Sequence, residues 1–127
     1  MRRYVEKPSP CAIHGLLEVL ARPWTMHILW NLSMTGPTRF GALRRQIEGI
    51  SSRVLTERLR ALEEKGFVFR DYEPTIPPTV TYGITKRMND LHAIFGDLDR
   101  VARKWQAEDA SAPVRGAQKR AAASAKG

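Results

Sequence analysis

The chain has 127 residues, of which 43% are hydrophobic and 27% charged, and it carries one cysteine and a formal net charge of +8. These totals are typical of one globular domain, and no apolar run approaches the roughly 20 residues that a membrane-spanning helix needs. A single cysteine excludes an internal disulfide framework and fits a reducing cytoplasm. No apolar segment follows the basic start Met1-Arg2-Arg3-Tyr4, so we expect no signal peptide.

The basic charge is not confined to the C-terminal residues 109–127, because the rest of the chain is also net positive. Such a chain suits a partner that presents phosphates, where pairing with cations supplies most of the sequence-independent affinity. An anionic membrane or ribosomal RNA would also suit it, so charge alone does not choose the partner.

We expect residues 1–8 to form an arm before the first helix. Ser9 is predicted to be the N-cap of this helix and Pro10 its first residue. The helix is predicted to run to about Ala21, because its apolar residues recur at helical spacing. These residues are Ile13, Leu16, Leu17 and Leu20.

A second helix is predicted from Thr25, after an interruption at Pro23, to Gly36-Pro37. It is apolar on nearly all sides, which is typical of the central, buried helix of a small domain. Four aromatic residues are interpreted as core, with a small-molecule pocket between the second and the last helix as the alternative. They are Trp24, Trp30, Phe40 and Phe95.

Two short amphipathic helices joined by a turn come next. Thr38 is predicted to cap the first of them, and Glu48-Gly49-Ile50 is the turn. Ser51 is predicted to cap the second, which spans residues 51–65 and ends at Gly66, a residue suited to the left-handed conformation after a helix. Each helix has one apolar face: Phe40, Leu43 and Ile47 in the first, and Leu55, Leu59 and Leu62 in the second.

The opposite face of helix 51–65 carries hydroxyl and guanidinium groups, the chemistry that bonds phosphates and base edges in a DNA major groove. We expect Arg53 at a base edge, because a guanidinium bonds guanine bidentately. Thr56 is expected at a thymine methyl or a phosphate, and Arg60 at a phosphate. A solvated charged face is the alternative. The expected DNA contacts are Arg39, Arg44, Ser51, Ser52, Arg53, Thr56, Arg60 and Thr79.

A hairpin is predicted after this pair of helices. One strand runs from Phe67 to Glu73, the tip spans residues 74–78, and the second strand alternates Val80, Tyr82 and Ile84. A helix-turn-helix followed by a hairpin predicts a winged helix, with the wing over residues 67–85. The fold class is mainly α with a small β-hairpin.

The longest helix is predicted over residues 86–108, with Thr85 as its cap. Its apolar stripe is longer than a domain of this size can cover, so we interpret it as a dimerisation helix with the first helix as its companion. A helix folded back over its own core is the alternative. Residues 109–127 are predicted to be a disordered basic tail. The expected dimer contacts are Leu16, Leu20, Leu91, Ile94, Phe95, Leu98, Val101 and Trp105.

Together these motifs resemble the HxlR-type winged helix-turn-helix transcriptional regulators of bacteria, within the MarR-like group. The resemblance covers roughly residues 10–105 and rests on Cys11, Trp24-Thr25, Ile28-Leu29, the segments 39–45, 49–51, 54–56, 58–63 and 66–68, Pro77-Pro78, Val80, Tyr82 and Thr85. It implies a homodimer on promoter DNA, with helix 51–65 in the major groove and the hairpin tip over the minor groove. Thr79 and Thr81 stand where the family usually has a charged pair, which predicts weaker or non-specific wing contacts.

Cys11 is predicted to lie in the first turn of the first helix, where the helix dipole favours a thiolate. Some members of the resembled family sense oxidants or electrophiles with the equivalent cysteine, which implies a redox-sensing role here. A small packing residue at a dimer interface is the alternative. With one cysteine, any disulfide would have to join two chains.

We expect no catalytic residues, no metal and no cofactor. The three histidines, His14, His27 and His92, fall on different predicted helices without carboxylates or thiols at ligand spacing. The sequence therefore predicts a cytoplasmic homodimer that binds double-stranded DNA, has no membrane partner, and takes a thiol-reactive or small-molecule effector as its candidate signal. Two alternatives stay open: a winged-helix adaptor for proteins, and a non-specific DNA-binding protein that relies on its basic tail.

Overall fold

A computed structural model describes residues 11–111. Of these, residues 11–89 belong to one compact unit, and a second unit begins at Asp90. The structure has five α-helices in this range: α1 Ala12–Leu20, α2 Thr25–Thr35, α3 Phe40–Gln46, α4 Ser52–Glu64 and α5 Asn89–Ser111. It has three strands: β1 Thr38–Arg39, β2 Val68–Glu73 and β3 Thr79–Ile84. The predicted helix-turn-helix with a hairpin is confirmed as α3, α4, β2 and β3.

The sheet has three antiparallel strands in the order β1-β3-β2, one more strand than the predicted hairpin. The prediction that Thr38 caps α3 is wrong. Thr38 is buried and pairs with Tyr82 in β1, and its hydroxyl donates to the carbonyl of Gly36 at 2.7 Å. The N-cap of α3 is Arg39, with an extended backbone and no side-chain cap bond.

The start predicted for the first helix is also wrong. Cys11 is the N-cap of α1, with φ −131° and ψ 94°, and its carbonyl accepts a hydrogen bond from the N–H of His14 at 3.1 Å. An N-cap residue has an extended backbone, although its carbonyl accepts the first hydrogen bond of the helix. Cys11 therefore precedes the first turn instead of lying in it. Ser9, Pro10 and the arm at 1–8 lie outside the described residues.

The core of the first unit is built on α2, α3, α4 and the sheet. Its fully buried side chains are Ile28, Leu29, Leu32, Leu43, Leu55, Leu59, Leu62, Val68 and Met88. The predicted all-round burial of α2 is wrong on one side, because Met26 and Met34 are exposed. Trp24, Trp30 and Phe40, predicted as core, are half-buried, whereas Phe95 in the second unit is buried.

Both ends of α4 follow the prediction. The side chain of Ser51 accepts a hydrogen bond from the N–H of Val54 at 3.1 Å. At the other end Gly66 has φ +81°. Its N–H donates to the backbone carbonyl of Glu63, and the N–H of Phe67 donates to the backbone carbonyl of Leu62. This is the Schellman pattern, which requires the left-handed residue that glycine supplies.

The junction between α1 and α2 is tied to α4. Trp24 has φ 73°, a region that bulky residues rarely adopt, and so marks local strain. The Nε–H of Arg58 in α4 donates to the carbonyl of Pro23 at 2.8 Å. Gly49, in the turn before α4, lies against the indole of Trp24, where an added Cβ would come within 3.4 Å of Cη2. The junction therefore contacts both the turn and the middle of α4.

The last helix differs from the prediction at both ends. A 3₁₀ turn over Lys86–Met88 precedes it, and the hydroxyl of Thr85 bonds the carbonyl of Gly66 at 2.6 Å instead of capping a helix. The helix α5 runs to Ser111, so residues 109–111 of the predicted disordered tail are helical. The remainder, 112–127, lies outside the described residues.

The predicted apolar stripe of α5 is mostly exposed in this single chain. Leu98 is 50% exposed and Trp105 60% exposed, and Ile94 and Val101 are also open to solvent. Leu91 is half-buried. The other side of the helix carries two short ion pairs, Arg100–Asp97 at 2.8 Å and Arg103–Asp99 at 2.9 Å. Between residues 11 and 111 no helix is both long and apolar enough to span a membrane.

Candidate nucleic-acid interface

The outward face of α4 presents Arg53 almost entirely to solvent. Its side chain is 87% exposed, and its Nε lies 3.4 Å from a carboxylate oxygen of Glu57 one turn later. Exposed pairs of this length contribute little to stability, so the guanidinium can leave Glu57 for a ligand at small cost. Ser52 and Arg60 on the same helix are exposed as well.

Thr56 has a more restricted chemistry than the sequence suggested. Its hydroxyl donates to the carbonyl of Ser52 at 2.8 Å. A hydroxyl has only one proton to donate, so Thr56 cannot also donate to a phosphate while this bond holds. Of the two contacts predicted for Thr56, the structure favours the apolar one, to a thymine methyl.

One groove joins three of the predicted DNA contacts, Arg39, Thr56 and Thr79. Its volume is about 460 Å³, and α3, α4 and β3 contribute its walls. Phe40 and Tyr82 also line it, and their ring centroids are 6.4 Å apart. The guanidinium of Arg39 can bond a phosphate here while the neighbouring aromatic rings pack against a sugar.

A second groove adds a cation that sequence reasoning missed. Arg70 in β2 lines it together with Thr56 and Arg60. Arg70 pairs with Tyr82 in the sheet register, and its guanidinium lies 5.6 Å from the ring centroid of Tyr72. The period-two alternation of the strand puts Arg70 and Tyr72 on one face, but the sequence does not indicate that this strand lies beside α4.

The remaining predicted DNA contacts lie outside these two grooves. Arg44 is exposed in the last turn of α3, and Ser51 and Ser52 are exposed at the start of α4. Ser51 already caps the helix, so its side chain is committed to the backbone. The structure therefore brings together Arg39, Thr56, Arg60 and Thr79 around two adjoining grooves, and leaves Arg44, Ser51, Ser52 and Arg53 on the open surface of the helix-turn-helix.

The basic groups on this face are available for an anionic partner. Within residues 11–111 the ion pairs are Arg53–Glu57 and the two on α5. Arg39, Arg44, Arg60 and Arg70 have no ion-pair partner in that range. On α5 a hydrogen bond to Asp99, aided by the charge of that carboxylate, raises the pKa of Arg103.

The wing differs from the rest of this face in carrying little positive charge. Residues 71–85 contain neither lysine nor arginine. The hydroxyl of Thr79 donates to the carboxylate of Glu73 at 3.2 Å, so the two ends of the tip are joined across the hairpin. Beyond them the side chain of Ile76 is 100% exposed.

Two further predicted sites can be located. Cys11 is half-buried at the N-terminus of α1. His14, His27 and His92 fall on α1, α2 and α5 as predicted, and no three His, Cys, Asp or Glu side chains between residues 11 and 111 are placed to hold a metal ion.

Comparisons with known proteins agree with this geometry. The sequence profile of the HxlR-like helix-turn-helix family matches residues 19–110. A putative regulatory protein, MalR of Fusobacterium mortiferum, is 31% identical over 99 residues, which cover 78% of this chain and 90% of MalR. These relatives are transcriptional regulators and not enzymes.

Solved structures of transcriptional regulators are also similar to this chain. The reduced form of the transcriptional regulator YodB from B. subtilis superposes with a TM-score of 0.64 at 32% identity, covering 74% of this chain and 90% of YodB. YodB is also known in diamide-treated and quinone-bound forms. The oxidised redox regulator HypR gives a TM-score of 0.67 at 29% identity, covering 74% of this chain and 96% of HypR. The chain belongs to the HxlR-like helix-turn-helix family of transcriptional regulators.

Proposed function

We propose that this regulator acts in the cytoplasm as a homodimer that binds specific sites in double-stranded promoter DNA. The observation that carries the proposal is the exposed face of α4, where Arg53 is 87% exposed beside grooves lined by Arg39, Arg60 and Arg70. Long guanidinium side chains on one helix face can reach base edges and phosphates together when the helix enters a major groove.

Arg53 and the residues that line the grooves have different roles in the proposed binding. Arg53 reads a base edge, because it lies on the open surface of α4 and its partner Glu57 holds it weakly. Arg39, Thr79 and Arg70 line the grooves beside α4, where the sugar-phosphate backbone would pass. Backbone contacts fix the register of the helix, and base contacts supply the sequence information.

Dimer formation is supported by exposed apolar surface in each unit. On α5 the surface consists of Ile94, Leu98, Val101 and Trp105. On α1 the exposed apolar residues are Ile13 and Leu17, whereas the predicted contacts Leu16 and Leu20 are half-buried. We therefore add Ile13 and Leu17 to the proposed interface. Pairing two chains would present two α4 helices to half-sites about one helical turn, or a small multiple, apart.

The test compares two arginines that are matched in charge and exposure. Arg53→Ala and Arg100→Ala each remove one exposed cation and one ion pair within a helix. Arg53→Ala should weaken binding to the selected site by about tenfold or more, the loss expected for one bidentate base contact. Arg100→Ala should bind like the wild type. Fluorescence anisotropy with a labelled duplex measures both.

Other results would favour the alternative functions. Equal, small losses for the two variants would indicate a non-specific DNA-binding protein that responds only to charge. In that case, deleting residues 112–127 would abolish DNA binding. In a specific regulator the same deletion would only weaken DNA binding. Unchanged affinity for both variants would favour an adaptor that binds proteins through the same face.

We further propose that Cys11 makes the regulator sensitive to oxidation, as the names and forms of HypR and YodB suggest for those proteins. Diamide takes two electrons and two protons from two thiols, and one disulfide forms between the chains. After diamide treatment the wild type should run as a covalent dimer on a non-reducing gel and should lose DNA affinity. The Cys11→Ser variant should stay monomeric on the gel and keep its DNA affinity. A DNA affinity that does not respond to diamide would contradict the proposed role of Cys11. The proposal that the protein binds DNA would still stand.

A further inference from the structure

The apex of the wing is one isoleucine with its side chain entirely in water. β2 and β3 stay paired as far as Glu73 and Thr79, and residues 74–78 close the hairpin. Ile76 is the middle residue of these five and is 100% exposed. A single exposed apolar residue is common on protein surfaces, so the meaning of Ile76 depends on its charge environment and its position.

The charge environment excludes an ionic contact between the wing tip and DNA. Residues 71–85 carry no cation, while Asp71 and Glu73 are both acidic. The nearest basic residue in the hairpin is Arg70, which stacks on Tyr72 and lines the groove beside α4. Phosphates would repel the carboxylates, so the side chains that the outer wing can offer a DNA duplex are apolar or bear hydroxyl groups.

The position of the tip follows from the groove that the wing shares with α4. Thr79 and Thr56 line that groove together. Ile76 is three residues beyond Thr79, a reach of at most about 10 Å for extended chain. If α4 lies in a major groove, this reach is long enough for Ile76 to cross the adjoining phosphate backbone. There the minor groove is about 6 Å wide and 7.5 Å deep, which admits one aliphatic side chain.

We propose that Ile76 is the DNA contact of the wing, and that it enters the minor groove beside the half-site to pack against sugar and base edges. Apolar side chains, isoleucine among them, enter minor grooves in this way in other DNA-binding proteins. The proposal rests on the proposed function, since it needs α4 on DNA. Its distinguishing property is that this contact releases no counterion, so its contribution does not depend on salt concentration.

Two substitutions at the same position test the chemistry. The probe is a duplex of the sequence that selection enriches, or a mixed-sequence duplex if none is enriched, titrated between about 50 and 200 mM salt. Ile76→Ala should weaken binding by about tenfold at every salt concentration, the effect of losing most of a buried aliphatic side chain. Ile76→Arg should steepen the slope of log K against log salt by about 0.9.

A control substitution and a groove-specific competitor complete the design. Met34→Ala removes another exposed apolar side chain, on α2, and should leave binding unchanged. Netropsin occupies the minor groove, so saturating the probe with it should remove the difference between Ile76→Ala and the wild type. A difference that persists with netropsin would overturn the placement of Ile76 in the minor groove.

Failure of this inference can be told apart from failure of the proposed function. If Ile76→Ala binds like the wild type while Arg53→Ala loses affinity, the wing inference is wrong and sequence-specific binding stands. If Ile76→Ala reduces the salt slope, the wing acts through charge and the inference is again wrong. If neither variant changes affinity, the proposed function itself fails.

Discussion

At the scale of single residues, Ser51 fixes where the proposed recognition helix begins. Its side-chain oxygen accepts the N–H of Val54, one of the donors that a helix N-terminus leaves unpaired. Replacing such a cap by alanine costs about 1 kcal/mol of stability. Since the first turn of α4 also carries Arg53, the same bond helps to hold the guanidinium that we propose as the base contact in place.

We therefore expect Ser51→Ala to lower the free energy of unfolding by about 1 kcal/mol. Urea denaturation followed by circular dichroism measures the change. Ser52→Ala is the matched control, because Ser52 is the next residue, is exposed, and has no role in the cap. Equal stability of the two variants would contradict the account of the cap.

The role of a single side chain is hard to predict where several local partners compete for it. Thr38 has the chemistry of a helix cap, but its hydroxyl bonds Gly36 and its backbone pairs with Tyr82. The strand β1 has only two residues, too few for any alternation to appear in the sequence. Arg70 was missed for a related reason, since its relevance depends on which strand lies beside α4.

At the scale of elements, a helix is predictable when its sequence has capping residues at both ends and regularly spaced apolar residues between them. The helix α4 has a capping serine, a leucine stripe and a terminal glycine, and its bounds came out as expected. The first helix had only the start signal Ser9-Pro10, and its observed start at Ala12 moves Cys11 to the cap. Burial on α2 depends on its neighbours, which is why the exposure of Met26 could not be predicted.

The helix α5 is the element whose apolar face most needs a partner. Leu98 is 50% exposed and lies in the middle of the stripe. We expect Leu98→Glu to shift the protein from dimer to monomer, because the substitution would bury a carboxylate in an apolar contact. Sedimentation velocity measures the change.

Ala107→Glu provides the control for this experiment. It adds the same charge to α5 and is also exposed, but it falls on the side opposite the stripe. A dimer that survives Leu98→Glu and behaves like Ala107→Glu would remove the stripe of α5 from the interface.

At the scale of the whole molecule, charge and function are divided between parts of the chain. The helix-turn-helix face is rich in arginine without ion-pair partners among residues 11–111, the outer wing has no cation, and α5 pairs two of its arginines internally. DNA affinity should therefore depend on salt mainly through the α3–α4 face and any contribution from residues 112–127. The fold and the family follow from the sequence pattern, whereas the site that we propose on DNA would depend on contacts between a few side chains and bases.

We propose above that two α4 helices read one site in promoter DNA. The most direct measurement is selection of binding sites from a random duplex library by the full chain, under reducing conditions and at about physiological salt. We predict enrichment of a pseudo-palindrome whose half-sites lie about one helical turn, or a small multiple, apart. Recovery of unenriched sequence, with binding that only weakens as salt rises, would contradict the claim and indicate a protein held to DNA by charge alone.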